Sequence, residues 1–175
     1  HHWADLSEGN YGVSLLNDCK YSYDIKGNVM RLSLLRAPVH PDPEADQGEH
    51  DMVYSLYPHD GDWRNGTVQQ GYELNVPLIT VAGGNAEASS CFASVDGDNV
   101  LIDAVKKAED SNALIVRMYE AYGQRGEVLL SFARAPKSIS VCDMMEENDK
   151  PVKFKGHTAA LYFTPYEIKS LKVQF

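Results

Sequence analysis

Cysteine is scarce in this chain, and what there is lies far apart. Cys19, Cys91 and Cys142 are an odd set with no CxxC pair, which argues against a zinc knuckle. Each falls in or beside an apolar, strand-like run, so three buried, reduced thiols and a reducing compartment are expected. Positive charge is scarce too. Sixteen Lys and Arg stand against twenty-five Asp and Glu, a formal charge of −9. A nucleic-acid backbone or an anionic membrane surface asks for a basic face, so neither is expected as a partner. No apolar run approaches the roughly 18 residues of a membrane span. The opening His1-His2-Trp3-Ala4-Asp5 has no basic and then apolar region of the kind that marks a signal peptide. The two histidines fit a tag remnant or native residues, and a targeting segment could lie upstream of a fragment. GxSxG, P-loop, GxGxxG and HExxH motifs are all missing.

What is present is strand signal. The chain has 175 residues, 43% of them hydrophobic, enough for one domain with a substantial core. Ten tyrosines outnumber the five phenylalanines and two tryptophans, which suits strands with one wet face. Residues 11–16, 19–25 and 29–35 read as a meander of antiparallel strands, with Lys26-Gly27-Asn28 as a hairpin turn. Residues 50–57 resume the alternation, and Pro58-His59-Asp60-Gly61 ends it. Residues 62–74 read as one short helix with Asp62 as its cap. A loop at residues 82–85 follows, and the loop around 82–88 is a possible division between two lobes. From residue 89 onward, strands are expected at 89–95, 100–106, 113–121, 127–133, 138–144, 152–154, 159–164 and 167–175. Asp96-Gly97-Asp98-Asn99 reads as a hairpin turn joining the first two of these. Ten or more short strands with polar turns indicate an all-β chain, an antiparallel β-sandwich with one short helix.

Residues 37–49 are different. Pro38, Pro41 and Pro43 remove three backbone donors from APVHPDPEADQGE, which excludes an inner strand and makes a stiff, shaped loop. His40, Asp46, Glu49 and His50 are residue types that bind zinc, though in no compact motif spacing. Two of Asp42, Glu44, Asp46 and Glu49 could serve as glycosidase carboxylates only across a sugar-sized cleft. A solvated acidic loop or an interface is the simpler reading. Arg36, just before the loop, could donate to a sugar hydroxyl or a carboxylate, or simply stabilise the turn. Trp3 and Trp63 suit either stacking on a pyranose or packing. Asn65-Gly66-Thr67 matches a glycosylation sequon.

Several phrases carry a resemblance: WADLSEGNYGVSLLNDCKYSYDIKGN, RLSLLRAP, PDPEADQGEH, YSLYPHDGDW, YELNVPL, ALIVRMYEAYGQRG and the closing TPYEIKSLKV. In that order, across almost the whole chain, they resemble the C-terminal β region of family 38 glycoside hydrolases, the zinc-dependent α-mannosidases, on their bacterial and cytosolic branch. The resemblance implies that residues 1–175 form a single C-terminal domain, a sandwich of the galactose-mutarotase-like, supersandwich type. It implies a parent that is a retaining exo-α-mannosidase acting on mannose-containing oligosaccharides in the cytoplasm. The parent's nucleophile, acid/base carboxylate and zinc would lie in an N-terminal barrel absent from this chain. The chain alone would then hold no catalytic residue, no metal and no cofactor, and the barrel would be its partner. Arg36, Asp46, Glu49 and His50 are the positions placed nearest the sugar pocket or the barrel interface. Two rivals remain: a free carbohydrate-binding module using Trp3, Trp63 and the tyrosines as a sugar platform, and a cupin-like metal enzyme using the histidines.

Overall fold

Polar residues at alternate positions decide the first part of the fold. In the computed structural model, which describes residues 1–83 and 90–175, the chain divides into two compact units, His1–Ala82 and Gly83–Phe175. The first unit opens with β1 (Trp3–Glu8) and β2 (Tyr11–Asn17), continues with the hairpin β3 (Tyr23–Lys26) and β4 (Val29–Leu32), and adds β5 (Tyr54–Asp60) and the helix α1 (Thr67–Asn75). Strands β1, β2 and β5 form an antiparallel sheet in that order. Its register sets Ser14 between Asp5 and Tyr57, and Gly12 between Ser7 and His59. One face of the sheet is therefore polar, and α1 packs there through buried Thr67, Val68 and Gly71. A Cβ added at Gly71 would sit 2.9 Å from Trp3 Cδ1, so glycine permits the close approach. The opposite face carries Leu6, Val13, Leu15 and Leu56.

This arrangement corrects several expectations. Strand β1 was not expected as a separate element; its helix-facing positions Asp5 and Ser7 are polar, so it lacks an apolar stripe. The expected meander is instead a three-stranded sheet plus a separate β3–β4 hairpin, and the runs at 19–25 and 29–35 contain only those short strands. Strand β5 continues through Pro58 to Asp60 instead of stopping before it. It lies at the edge of its sheet, where a missing N–H is tolerated. The helix starts at Gly66 (φ 91) with no side-chain cap. Asp62 closes the preceding turn by accepting the Arg64 N–H at 2.9 Å.

The second unit is the sandwich. Its strands are β6 (Ala93–Val95), β7 (Val100–Lys107), β8 (Leu114–Glu120), β9 (Gly126–Phe132), β10 (Ser138–Cys142), β11 (Lys150–Pro151), β12 (Phe154–Lys155), β13 (Thr158–Phe163) and β14 (Ile168–Gln174). They form two antiparallel sheets, β11-β10-β14-β8-β7 and β12-β13-β9-β6. Val116, Met118, Ile139, Leu171 and Val173 of the first sheet meet Val128, Leu130, Phe132, Leu161 and Phe163 of the second in one core. Each such side chain, fully buried, contributes about 1.5–3 kcal/mol. The 96–99 turn does not make the expected hairpin. Strand β6 pairs with β9 and β7 pairs with β8, so the turn passes the chain from one sheet to the other. Asp96 remains with β9, its Oδ1 accepting the Leu129 N–H at 2.7 Å, while the Asn99 carbonyl accepts the Ala121 N–H. The strand expected at 152–154 is instead split into β11 and β12. Ser89, expected to begin a strand, and Gly84 and Asn85 of the expected loop lie outside the described residues.

Candidate functional site

Loop 37–50 folds onto itself through its own polar side chains. Asp42 Oδ1 accepts the Glu44 N–H at 2.9 Å, and the Asp42 and Glu44 carbonyls accept the Ala45 and Gln47 N–H groups. The larger closure runs from Asp46 to the loop's start. Asp46 Oδ2 accepts the Ala37 N–H at 2.9 Å, and His50 Nε2 donates to the Asp46 carbonyl at 2.9 Å. Both Ala37 (φ 46) and Asp46 (φ 61) sit in the left-handed region.

The closure walls a cleft of about 530 Å³ in the first unit, lined by Cys19, Lys20, Tyr21, Arg36, Asp46 and His50 among others. Three of the four residues expected near a pocket thus come together. Glu49 is exposed and is not part of the lining. Arg36 is exposed, and its guanidinium makes no hydrogen bond or ion pair with any described residue. An unpartnered guanidinium with five fixed donors can bind hydroxyl or carboxylate oxygens.

The cleft also explains the misjudged cysteines. Cys19 and Cys91 are exposed and only Cys142 is buried. Cys19 lies between strands and lines the cleft instead of facing a core. Its thiol is pushed above the usual cysteine value, mainly by its hydrogen bond to the Asp18 carboxylate and next by desolvation. A thiol held protonated is a poor nucleophile.

A second cluster escaped the sequence reading. Asp5 Oδ1 accepts from His59 Nε2 at 2.7 Å and from Ser14 Oγ at 2.5 Å, while Ser7 Oγ donates to Asp5 Oδ2. Since the Ser14 proton goes to Asp5, Thr67 donates to Ser14 Oγ, at 2.7 Å. The residue types are those of a hydrolase triad, but the geometry is not. A triad places the carboxylate on one ring nitrogen and the serine on the other. Here both meet Nε2, and His59 Nδ1 is buried with no hydrogen-bond partner among the described residues. Ser14 is also 0% exposed, so no substrate reaches it. The cluster fastens α1 to its sheet. Its members are spread from residue 5 to residue 67, and the only advance signal is polar residues at inward strand positions.

The aromatic pair is engaged internally. Trp3 and Trp63 stack at 5.5 Å between centroids, and the Arg64 guanidinium lies over Trp63 at 4.6 Å. Thr67 of the sequon is fully buried under the sheet. Among the described residues no three His, Cys, Asp or Glu side chains converge as a metal ion would require, so those residues do not fit a zinc site.

Residues 1–44 match the family described as "Glycosyl hydrolases family 38 C-terminal domain", and residues 99–171 match "Glycosyl hydrolases family 38 C-terminal beta sandwich domain". The first match includes Arg36 and stops short of Asp46, Glu49 and His50. Alpha-mannosidase 2C1 of Homo sapiens is 38% identical over 98% of this chain and 17% of its own length. Alpha-mannosidase G of Dictyostelium discoideum is 36% identical over 98% of this chain and 17% of its own. The chain therefore spans less than a fifth of the length of these curated relatives. The crystal structure of an alpha-mannosidase from Enterococcus faecalis shares the fold, with a TM-score of 0.77 at 20% identity, over 100% of this chain and 21% of that one.

Proposed function

Because the chain belongs to the C-terminal region of glycosyl hydrolase family 38, we propose that it serves as the C-terminal β region of a retaining exo-α-mannosidase. The substrate class is terminal α-D-mannosides of oligosaccharides. Nucleophile, acid/base group and zinc would be held by an N-terminal barrel of the same polypeptide, against which this region packs. In this reading the cleft at Arg36 forms part of the wall of the sugar pocket. The observation that carries it is the Arg36 guanidinium, without a hydrogen bond or ion pair among the described residues, on a cleft shaped by the 37–50 loop. The arginine would donate N–H groups to sugar hydroxyls and orient the terminal ring. A cytoplasmic, reducing location accompanies the proposal, in keeping with three unpaired thiols.

A hydrogen bond from a charged donor contributes about 1.5–3 kcal/mol. Arg36→Met in the full-length enzyme is therefore expected to lower kcat/KM on an aryl α-mannoside roughly 10- to 150-fold. An unchanged kcat/KM removes Arg36 from the pocket. The 175-residue chain alone, supplied with zinc, is expected to show no turnover of the same substrate; robust turnover would place the catalysts inside it.

A further inference from the structure

We infer that Asp46 is a positioning residue, whose carboxylate fixes the backbone at Ala37 and so aims Arg36 into the cleft without itself meeting the sugar. The inference rests on the reading of Arg36 as the sugar-facing group. Asp46 Oδ2 is turned to the main chain, accepting the Ala37 N–H at 2.9 Å. Ala37 needs such a restraint. It holds φ 46, where its Cβ crowds the following carbonyl. It also precedes Pro38, which steers the residue before it toward extended backbone. Two local preferences therefore pull Ala37 away from its observed conformation. If it relaxed, the chain on either side would swing and Arg36, its immediate neighbour, would leave the cleft wall. Asp46 is anchored in turn, since its carbonyl accepts from His50 Nε2 at 2.9 Å. Asp46 itself has φ 61, a region that Asp and Asn enter more easily than other side chains.

The chemistry separates this role from direct contact with substrate. Asp46→Asn keeps a carbonyl oxygen for the Ala37 N–H and suits the same backbone, but removes the charge. Asp46→Ala removes both. By NMR on the 175-residue chain, the Ala37 amide is expected to exchange at the parent rate in Asp46→Asn and about five-fold faster in Asp46→Ala, as the loss of one ordinary hydrogen bond requires. Amides of β2, the central strand of the same unit, report in the same spectra that the fold is kept. In the full-length enzyme, Asp46→Asn is expected to keep KM within about two-fold. Asp46→Ala should raise KM toward that of Arg36→Met, with kcat changed less, and should add nothing in the Arg36→Met background. Equal damage from Asp46→Asn and Asp46→Ala with Ala37 still protected would make Asp46 a substrate contact and overturn the inference. Unchanged Ala37 exchange in Asp46→Ala would overturn it as well. An Arg36→Met enzyme with unchanged kcat/KM would sink the pocket reading instead, while the exchange rates still decide whether the clamp exists.

Discussion

Replacing Glu120 by glutamine exchanges one carboxylate oxygen for an amide nitrogen at a point where four donors converge. Glu120 ends β8 and is 1% exposed. Its Oε1 accepts from Asn99 Nδ2 at 3.0 Å and the Tyr122 N–H at 2.9 Å; its Oε2 accepts from the N–H groups of Gly123 at 2.8 Å and Tyr166 at 2.9 Å. One side chain thus ties together the 96–99 turn, the turn after β8 and the turn before β14. Two of the donors belong to left-handed residues, Gly123 (φ 72) and Tyr166 (φ 59). Whichever way the glutamine amide is placed, its NH₂ faces two N–H donors. Two charge-assisted bonds are lost, each contributing about 1.5–3 kcal/mol, and relaxation of the turns recovers part, so a loss of about 2–4 kcal/mol is expected. For a unit of this size that lowers Tm by about 10–25 °C. Burial alone would raise the Glu120 carboxyl, but the hydrogen bonds it accepts, those from Tyr166 and Asn99 first, outweigh it and hold the group below the usual glutamate value. A pKa lower in the folded than in the unfolded state gives stability that is full above the unfolded value of about 4.3, and lost as pH falls through the folded one. Urea melts followed by near-ultraviolet circular dichroism from pH 7 to pH 3 should therefore show the parent weakening below about pH 4.3, and Glu120→Gln weakening less over the same range. A variant within about 0.5 kcal/mol of the parent at pH 7, or with an identical acid limb, would refute this account.

Gly12→Ala tests the buried cluster of the first unit. A Cβ there would come 2.9 Å from His59 Nε2, forcing the ring off Asp5. A loss of about 1–3 kcal/mol is expected for such overpacking, with a shifted His59 ring signal by NMR; an unmoved ring would contradict the packing. Thiol labelling of the native chain tests the corrected cysteines. Cys19 and Cys91, both exposed, should take up a maleimide, Cys19 more slowly than exposure alone would allow because its bond to Asp18 holds the thiol protonated, while Cys142, buried, should react only on unfolding.

The strands of the second unit were legible because burial of one face writes a two-residue period directly into the chain. Val128, Leu130 and Phe132, or Ala159, Leu161 and Phe163, point inward at alternate positions, and that pattern needs no partner to be read. The partner was not legible. Asp96-Gly97-Asp98-Asn99 announces a reversal, but its composition is the same whether the chain returns to the same sheet or crosses to the facing one. Crossing is what lets Val95 and Val100 both reach one core from opposite sheets. Strand β1 stayed hidden for the opposite reason, since the face it buries is polar and compensated by His59, Ser14 and Thr67.

Loop 37–50 shows the same division. Three prolines and a dense set of polar side chains were enough to mark residues 37–49 as stiff, shaped and outside any inner strand; composition offered His40, Asp42 and Glu44 equally with Asp46, Glu49 and His50, and it was the resemblance to family 38 that placed Arg36, Asp46, Glu49 and His50 nearest a pocket. Composition and local stereochemistry act within a few residues, so the chain alone carries them. Which carboxylate turns inward to hold Ala37, which stays in solvent, and whether Arg36 finds a partner among the described residues depend on distances between residues as far apart as Tyr21 and Arg36. Those distances are set by how the hairpin and the loop fold together, and only the tertiary structure decided them.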